Sequence, residues 1–464
     1  MLFSVILSFI IGYIAIVFEH PLKLDKTVPA LIMAALCWAF VSLGHLPVFD
    51  HHGHEAVLDN ILLHHIGKTA EILIFLIGAM TIVELIDLHG GFGAITDRIK
   101  TTKKSTMLWM VMPLAFFLSA TLDNLACTIV VVSLLRKLVP VKEERIYFIS
   151  LGVIAANAGG AWSPIGDVTT TMLWIGNRIS VSGLVMALLL PSIVCAVIPT
   201  AVMAAMPYMK GNITPADTSD NHAGEKNPKI KGADTMLIAG LAGLVFVPIF
   251  KTVTHLPPYV GMMLSLGVVW LISEYLHPDE EFEDKQKYSA HHALSRIEMS
   301  SILFFLGILM AVASLESLNV LKDLAEAMNG VFPSDKQYLP GVVGLDLVVA
   351  ILGLGSALID NVPLVAAAMG MYSTQEYVMD HKLWHFLAYS AGTGGSMLII
   401  GSAAGVAAMG MEKIDFMWYM KKIAWLALVG FFAGAIVFLL IHPIVEPYLI
   451  DTASHAVPAT GGGH

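Results

Sequence analysis

Charged side chains are scarce in this sequence, at 13% of 464 residues, where soluble globular domains carry roughly 25%. With 56% apolar residues, that scarcity excludes a water-soluble module and defines an integral membrane protein. Cysteine is nearly absent: Cys37, Cys127 and Cys195 lie inside apolar runs and offer neither a disulfide framework nor a zinc spacing. The basic residues sit in short loops and form no stripe, which with a net charge of -10 excludes a nucleic-acid partner. Met1 to Phe18 has no basic leader and no small-residue cleavage pattern, so a retained helix is expected there rather than a cleaved signal. No His-Glu-x-x-His, Gly-x-Ser-x-Gly or Walker-type Gly-x-x-x-x-Gly-Lys run occurs, which argues against a membrane-embedded enzyme and against direct drive by ATP.

What the chain has instead is apolar runs of about 17 to 25 residues, the length that crosses a ~30 Å hydrocarbon core. They occupy 2–18, 28–44, 70–88, 182–206, 234–252, 258–276, 299–318 and 414–441. Two longer stretches, 145–177 and 385–411, carry a Gly-Gly pair at mid-length and read as one discontinuous crossing each. The stretch 105–135 is apolar except for Asp123-Asn124 at its centre. Two full crossings would take about 40 helical residues and two half-depth legs only about 20 to 25, so this stretch predicts a re-entrant hairpin with its tip at mid-membrane. A counterpart is expected at 340–372, around Asp360-Asn361.

Basic residues orient these elements. Arg98, Lys100, Lys103 and Lys104 precede the first hairpin and Arg136, Lys137, Lys142 and Arg145 follow it, so the positive-inside rule puts both flanks in the cytoplasm. With the N-terminus outside, all 26 Lys and Arg except Lys68, Arg178, Lys251, Lys322, Lys336 and Lys382 fall on the cytoplasmic side, and none is left near mid-membrane. Each half then holds five crossings, one of them broken, and one re-entrant hairpin, and an odd number of crossings inverts the second half. The expected architecture is an all-α polytopic membrane protein of two inverted-topology repeats, 1–210 and 234–442. A polar cytoplasmic linker at 211–233 joins them, a periplasmic tail at 443–464 follows, and both termini are periplasmic. The stretches 89–102 and 318–332 read as amphipathic interfacial helices at equivalent places in the two halves.

Polar islands recur in pairs. Ser119-Ala-Thr-Leu-Asp-Asn-Leu125 is answered by Ser356-Ala-Leu-Ile-Asp-Asn361, and Asn157-Ala-Gly-Gly-Ala-Trp-Ser-Pro-Ile-Gly-Asp167 by Gly392-Thr-Gly-Gly-Ser-Met-Leu-Ile-Ile-Gly-Ser402. Non-helical backbone at membrane depth survives only where it is buried in protein or lines a cavity, so four breaks at mid-depth predict a site. Half-helices ending there turn their carbonyl dipoles towards a common centre, a field that suits a cation. Candidate ligands are the carboxylates Asp123, Asp167 and Asp360 and the neutral oxygens of Asn124, Asn157, Ser163, Thr169, Thr170, Ser356, Asn361, Thr393, Ser396 and Ser402. Hard cations such as sodium take oxygens of this kind by analogy with calcium and magnesium. The bland alternatives are aspartates that only cap the next half-helix and glycines that only allow close packing. Glu71, Glu84 and Asp346 are secondary proton-path candidates, or carboxylates satisfied for structural reasons. The loop His51-His-Gly-His54, with His64 and His65, reads as a solvated external loop, with pH sensing or metal binding as the alternative. An anionic substrate would want Arg or Lys at mid-depth, where this topology places none. No cofactor is expected.

Asn157-Ala-Gly-Gly-Ala-Trp-Ser-Pro-Ile-Gly-Asp167 resembles the Asn-x-Gly-Gly-x-x-(Ser/Thr)-x-Ile-Gly-Asp pattern of the ion transporter superfamily that includes arsenite pumps and NhaD-type sodium/proton antiporters. Glu71-Ile-Leu-Ile-Phe-Leu-Ile-Gly-Ala-Met-Thr-Ile-Val-Glu84, Thr121-Leu-Asp-Asn124 and Ala357-Leu-Ile-Asp-Asn361 extend the likeness to the NhaD type over nearly the full chain. The resemblance implies a secondary transporter that exchanges sodium or lithium for protons by alternating access in a bacterial inner membrane. It also implies a homodimer with a static scaffold and a moving unit, whose other partners are sodium ions, protons and the lipid bilayer. A sodium-coupled carboxylate importer or an arsenite exporter on the same scaffold is the alternative. As ion-path residues the resemblance carries over Asp123, Asn124, Asn157, Asp167, Thr169, Thr170, Ser356, Asp360, Asn361 and Ser396. Ser402 stands where the first broken helix has Asp167, so the two half-sites are chemically unequal.

Overall fold

The computed structural model describes residues 1–18, 22–50, 54–93, 101–214, 232–276, 288–339, 341–358 and 360–456, the side chains from 449 onward excepted. Its elements are overwhelmingly helical, as hydrocarbon demands: with no water to take up amide groups, backbone hydrogen bonds must close within each segment. The first half runs α1 (Leu2–Val17), α2 (Thr27–Leu43), α3 (Leu58–Leu88), α4 (Lys104–Leu122), α5 (Asn124–Leu138), α6 (Lys142–Ala161), α7 (Val168–Ile175) and α8 (Val181–Ala205). The second runs α9 (Ala233–Thr254), α10 (Pro258–Leu276), a short α11 (Ala290–Arg296), α12 (Met299–Ser317), α13 (Val320–Val331), α14 (Gly344–Gly355), α15 (Asn361–Met371), α16 (Lys382–Gly394), α17 (Ala403–Glu412), a short α18 (Phe416–Lys422) and α19 (Ala424–Ala456). Two small antiparallel strand pairs, Val48–Phe49 with Glu55–Ala56 and Gln337–Leu339 with Val342–Val343, lie in loops. Seven helices among the described residues, α3, α4, α8, α9, α10, α12 and α19, are long and apolar enough to cross a membrane. This is an all-α polytopic membrane protein.

The helices pack as two groups. In one, which we call the bundle, α1 lies on α2, α2 on α12, α12 on α3, α3 on α10 and α10 on α9. In the other, the core body, α4 packs on α6, α14 on α16, α5 on α17, α15 on α7 and α6 on α16, with α8 and α19 paired against the broken helices. Long-range ties hold the core body together. Arg136 Nε and Arg145 NH2 meet the buried Glu412 carboxylate at 2.6 and 2.9 Å, fixing the end of α5 and the start of α6 to the end of α17. At the far end of α7, Arg178 donates to the carbonyl of Met369 in α15 (3.0 Å) and lies over the Trp384 ring.

Several elements differ from the sequence expectation. The first hairpin breaks at Asp123 as predicted, but its legs span 19 and 15 residues, about 28 and 22 Å at helical rise and so longer than half depth. The second hairpin has the shorter legs expected, 12 and 11 residues. The first Gly-Gly pair is not itself a break, since α6 runs through Gly159-Gly160 to Ala161, whereas at the second pair α16 ends, with Gly394 its last residue and Gly395 its cap. These glycines serve close approach, since a Cβ on Gly159 would collide with the Phe116 carbonyl and one on Gly394 with the Gly353 carbonyl. The apolar run 414–441 is two helices, α18 and α19, and α19 continues to Ala456 into the stretch expected to be tail. Helix α3 begins at Leu58, so His64 and His65 are helical rather than in a loop, and His65 bonds Ser317 at 2.9 Å. His51 and His52, residues 94–100 of the 89–102 stretch and most of the linker lie outside the described residues. The 318–332 stretch is α13, which buries Leu321 and Ala325.

Candidate ion site at the four helix breaks

The site follows from how each break is capped. A helix starting inside the protein leaves N–H groups without partners, and at all four restarts a polar side chain takes one. Asp123 Oδ1 accepts from Ala126 N (2.9 Å), Asp167 Oδ1 from Thr169 N (2.9 Å), Asp360 Oδ1 from Val362 N (3.3 Å) and Ser402 Oγ from Gly405 N (3.2 Å). Asp123 does so at φ 75°, a backbone region normally left to glycine that costs of order 1–3 kcal/mol. The capping reading of the aspartates is therefore realised, and the second carboxylate oxygens of Asp167 and Asp360 take partners from other elements.

Asp167 is the centre. Its Oδ2 accepts from Asn124 Nδ2 at 2.9 Å and from Asn361 Nδ2 at 3.2 Å, so the residues that open the second legs of both hairpins converge on it. Oδ1 also takes the Thr169 hydroxyl at 2.9 Å. Asn157, within α6, accepts from Asn124 Nδ2 (3.1 Å) and donates to Ser396 Oγ (2.8 Å) and Ser402 Oγ (2.9 Å), extending the network across the second broken helix. Asn157, Asp167, Thr169, Ser396, Ser402, Asn124 and Asn361 are all buried.

The other candidate hydroxyls turn to backbone carbonyls. Ser163 donates to Ala120 (2.5 Å), Thr170 to Ser163 (2.7 Å), Ser356 to Ala391 (2.8 Å) and Thr393 to Tyr389 (2.6 Å). Ser163 and Ser356 thereby staple a break to a neighbouring element, whereas Thr170 closes its own break and Thr393 bonds within α16. The secondary carboxylates lie elsewhere: Asp346 is buried at the start of α14, ion-paired with Lys382 at 2.7 Å and accepting from Val343 N. Glu84 pairs with Arg296 at 3.2 Å. Glu71 lines a crevice of about 420 Å³ shared with Lys68, Arg178, Lys251 and Glu316. Among the described residues, no group of three His, Cys, Asp or Glu has a metal-binding arrangement.

One contact at these breaks was missed and corrects the topology argument. Lys26 Nζ lies 2.8 Å from Asp360 Oδ2, so a lysine does reach the site. It reads in sequence as an ordinary loop lysine, and nothing near it signals the contact.

The architecture and the polar centre belong to an ion-translocating membrane transporter. Residues 13–386 match the sequence model of a family described as Citrate transporter, and the chain belongs to that family. Several proteins similar to it over most of its length are antiporters by name. It is 46% identical over 437 residues to sodium/proton antiporter 1 of Arabidopsis thaliana, covering 94% of this chain and 72% of that protein. To sodium/proton antiporter 2 of the same plant it is 41% identical, covering 94% and 99%. To the Na(+)/H(+) antiporter NhaD of Vibrio parahaemolyticus it is 30% identical, covering 85% and 94%. The likeness to the NhaD type read from the motifs is borne out, and the protein is a transporter, not an enzyme.

Proposed function

We propose that this protein exchanges sodium for protons across its membrane at the Asp167 centre. The observation that carries the reading is the convergence of Asn124, Asn361 and Thr169 on one buried carboxylate at the junction of four broken elements. A buried carboxylate is costly and needs a cation or a proton, and one group that accepts either performs exchange by competition. Amide groups at Asn124, Asn157 and Asn361 offer oxygens to a sodium ion as readily as they offer donors to a bare carboxylate. The names of the relatives that match end to end point the same way. Lithium shares the oxygen chemistry and is expected to substitute.

The site residues are Asp123, Asn124, Asn157, Asp167, Thr169, Asp360, Asn361, Ser396 and Ser402, with Ser163, Thr170, Ser356 and Thr393 shaping the breaks. The chain is read as two inverted repeats. Packing supports this, since α1 on α2, α4 on α6, α5 on α17 and α2 on α12 recur as α9 on α10, α14 on α16, α15 on α7 and α10 on α3. Alternating access follows by movement of the core body against the bundle. In that body α8 and α19 accompany the hairpins and broken helices. The bundle's α9 and α10 are the least enclosed of the long spans, with 22% and 28% of their apolar windows buried, and a second copy of the chain covers them. A bacterial inner membrane with both termini outside fits the distribution of basic residues. Sodium-dependent proton flux in inverted vesicles tests the function; vesicles in which neither sodium nor lithium moves protons would end it.

A further inference from the structure

We propose that Lys26 is a counter-ion which sodium must displace from Asp360, and that this pair holds the empty core body against the bundle; the proposal rests on the exchange reading above. Lys26 stands where the chain turns into α2. The next residue, Thr27, donates its hydroxyl to the carbonyl of Ser300 at the start of α12 (2.9 Å), which fixes the turn to the bundle. Lys26 Nζ sits 2.8 Å from Asp360 Oδ2 and 4.5 Å from the centre of the Phe304 ring in α12. The two charged side chains are only 23% and 13% exposed. Lys26, Thr27 and Phe304 belong to the bundle, whereas Asp360 caps α15 at the tip of the second hairpin. The pair is thus a charge contact between the two bodies, placed at the ion site itself.

An ammonium and a sodium ion both neutralise Asp360 by direct contact with its free oxygen, so the arrival of one dismisses the other. Tyr13 of α1 and Asp167 lie within charge range of Asp360, and Asp25 within range of Lys26. None of these is cationic, so Lys26 is the group among them that answers the aspartate. Coupled exchange requires such a device. A core body that crosses the membrane empty converts exchange into sodium leak, and a bundle lysine that re-engages the bare aspartate blocks that crossing. Phe304 lies about 8 Å along the roughly 28 Å of α12, so the tip of the second hairpin meets the bundle between that end and the middle of the helix.

The test is Lys26→Gln in the full-length protein reconstituted into liposomes, read by sodium-driven proton flux and by sodium flux under a membrane potential without a pH gradient. The sodium half-saturation should fall roughly fivefold, the factor a partly screened ion pair imposes, and potential-driven sodium flux absent from the unaltered protein should emerge. Unchanged half-saturation together with unchanged sodium-to-proton coupling would overturn the proposal. Should the Gln variant fail to insert, Lys26→Cys in a background with Cys37, Cys127 and Cys195 replaced by Ala gives a second reading. Sodium, and not choline at equal ionic strength, should slow modification by aminoethyl methanethiosulfonate, because sodium and the reagent's ammonium compete for Asp360, and the added ammonium should restore coupling where the neutral methyl reagent does not. A labelling rate indifferent to sodium refutes the lock. Absence of sodium-driven proton flux in the unaltered protein sinks the exchange reading instead, and thiol labelling separates the two because it needs no proton flux.

Discussion

Asp167→Asn is the substitution that most directly probes the centre. The carboxylate accepts four close hydrogen bonds, from Thr169 N, Thr169 Oγ1 and Asn124 Nδ2 at 2.9 Å and from Asn361 Nδ2 at 3.2 Å. An amide of the same size can keep its oxygen on the Thr169 side, preserving the cap of α7. Its new NH2 then faces two donors. Asn124 and Asn361 can turn their oxygens inward, but Asn124 then surrenders its bond to Asn157 Oδ1. The protein should still fold, because a neutral amide is cheaper to bury than a charge. The ion loses a charged ligand worth about 1.5–3 kcal/mol, a roughly ten- to hundredfold rise in sodium half-saturation, and exchange loses the carboxylate on which sodium and proton compete, so sodium-driven proton flux should fall to near zero. Sodium-driven proton flux in proteoliposomes, with thermal melting in detergent as the folding control, measures both. A well-folded variant with the half-saturation of the unaltered protein would show that sodium is not held at Asp167.

Four further outcomes are expected. Gly159→Ala and Gly394→Ala each drive a methyl into a neighbouring carbonyl and should cost about 1–3 kcal/mol in thermal stability, whereas Gly330→Ala, in open space, should not. Asp346→Ala strips the partner of Lys382 and of Val343 N and should lose about 1–3 kcal/mol; a large change in sodium half-saturation would return Asp346 to the ion path. Asp380 lies in the loop before α16. Burial alone would raise its carboxyl, but its bonds to His385 and Ser180 hold it below the usual range. A depressed carboxyl stabilises the fold above its unfolded value near 4 and loses that contribution as pH falls through the lower folded value. Melting between neutral pH and pH 3 should therefore show an acid loss that Asp380→Asn reduces. Single cysteines at Lys103 and Lys142 in a cysteine-free background should be labelled from the cytoplasmic side only; labelling of either from outside would break the proposed topology.

The parts of this structure legible in the sequence are those where a local interruption has a local cause. Asp123-Asn124 and Asp360-Asn361 break their apolar runs because an aspartate that caps a new helix cannot continue the old one, and the repetition of the pattern gave the same answer twice. Asp167 and Ser402 were found for the same reason, and Asn157 and Ser396 because they lie in the polar islands beside those caps. Helix extents were less legible: α3 takes in His64, His65 and Lys68 because a helix extending beyond hydrocarbon tolerates polar residues that a hydropathy run does not. The split at Ile423 has no strong breaker beside it. Contacts between distant segments were invisible. Nothing in the spacing announces that Arg136 and Arg145 close on Glu412. Positive-inside counting assigned Lys26 to a loop without asking how far its four-carbon stem reaches inward.

Lys26 also breaks the symmetry that the duplicated pattern leads one to expect. Under the proposed inverted duplication α2 corresponds to α10, α12 to α3 and the second hairpin to the first, and the packing of α2 on α12 is matched by that of α10 on α3. When the core body takes its opposite position, Asp123 should therefore approach the start of α10 as Asp360 now approaches the start of α2. The residue preceding α10 is Pro257, which carries no charge, where α2 is preceded by Lys26. The empty core body then meets a lysine at the start of α2 and a proline at the start of α10, so this lock acts on one side. Sodium arriving from that side releases it by taking Asp360. On the opposite side position 257 supplies no ammonium to compete for Asp123 as Lys26 competes for Asp360. A lysine placed at position 257 should make the lock two-sided and slow exchange in both directions, whereas faster exchange would mean that the two halves do not dock alternately.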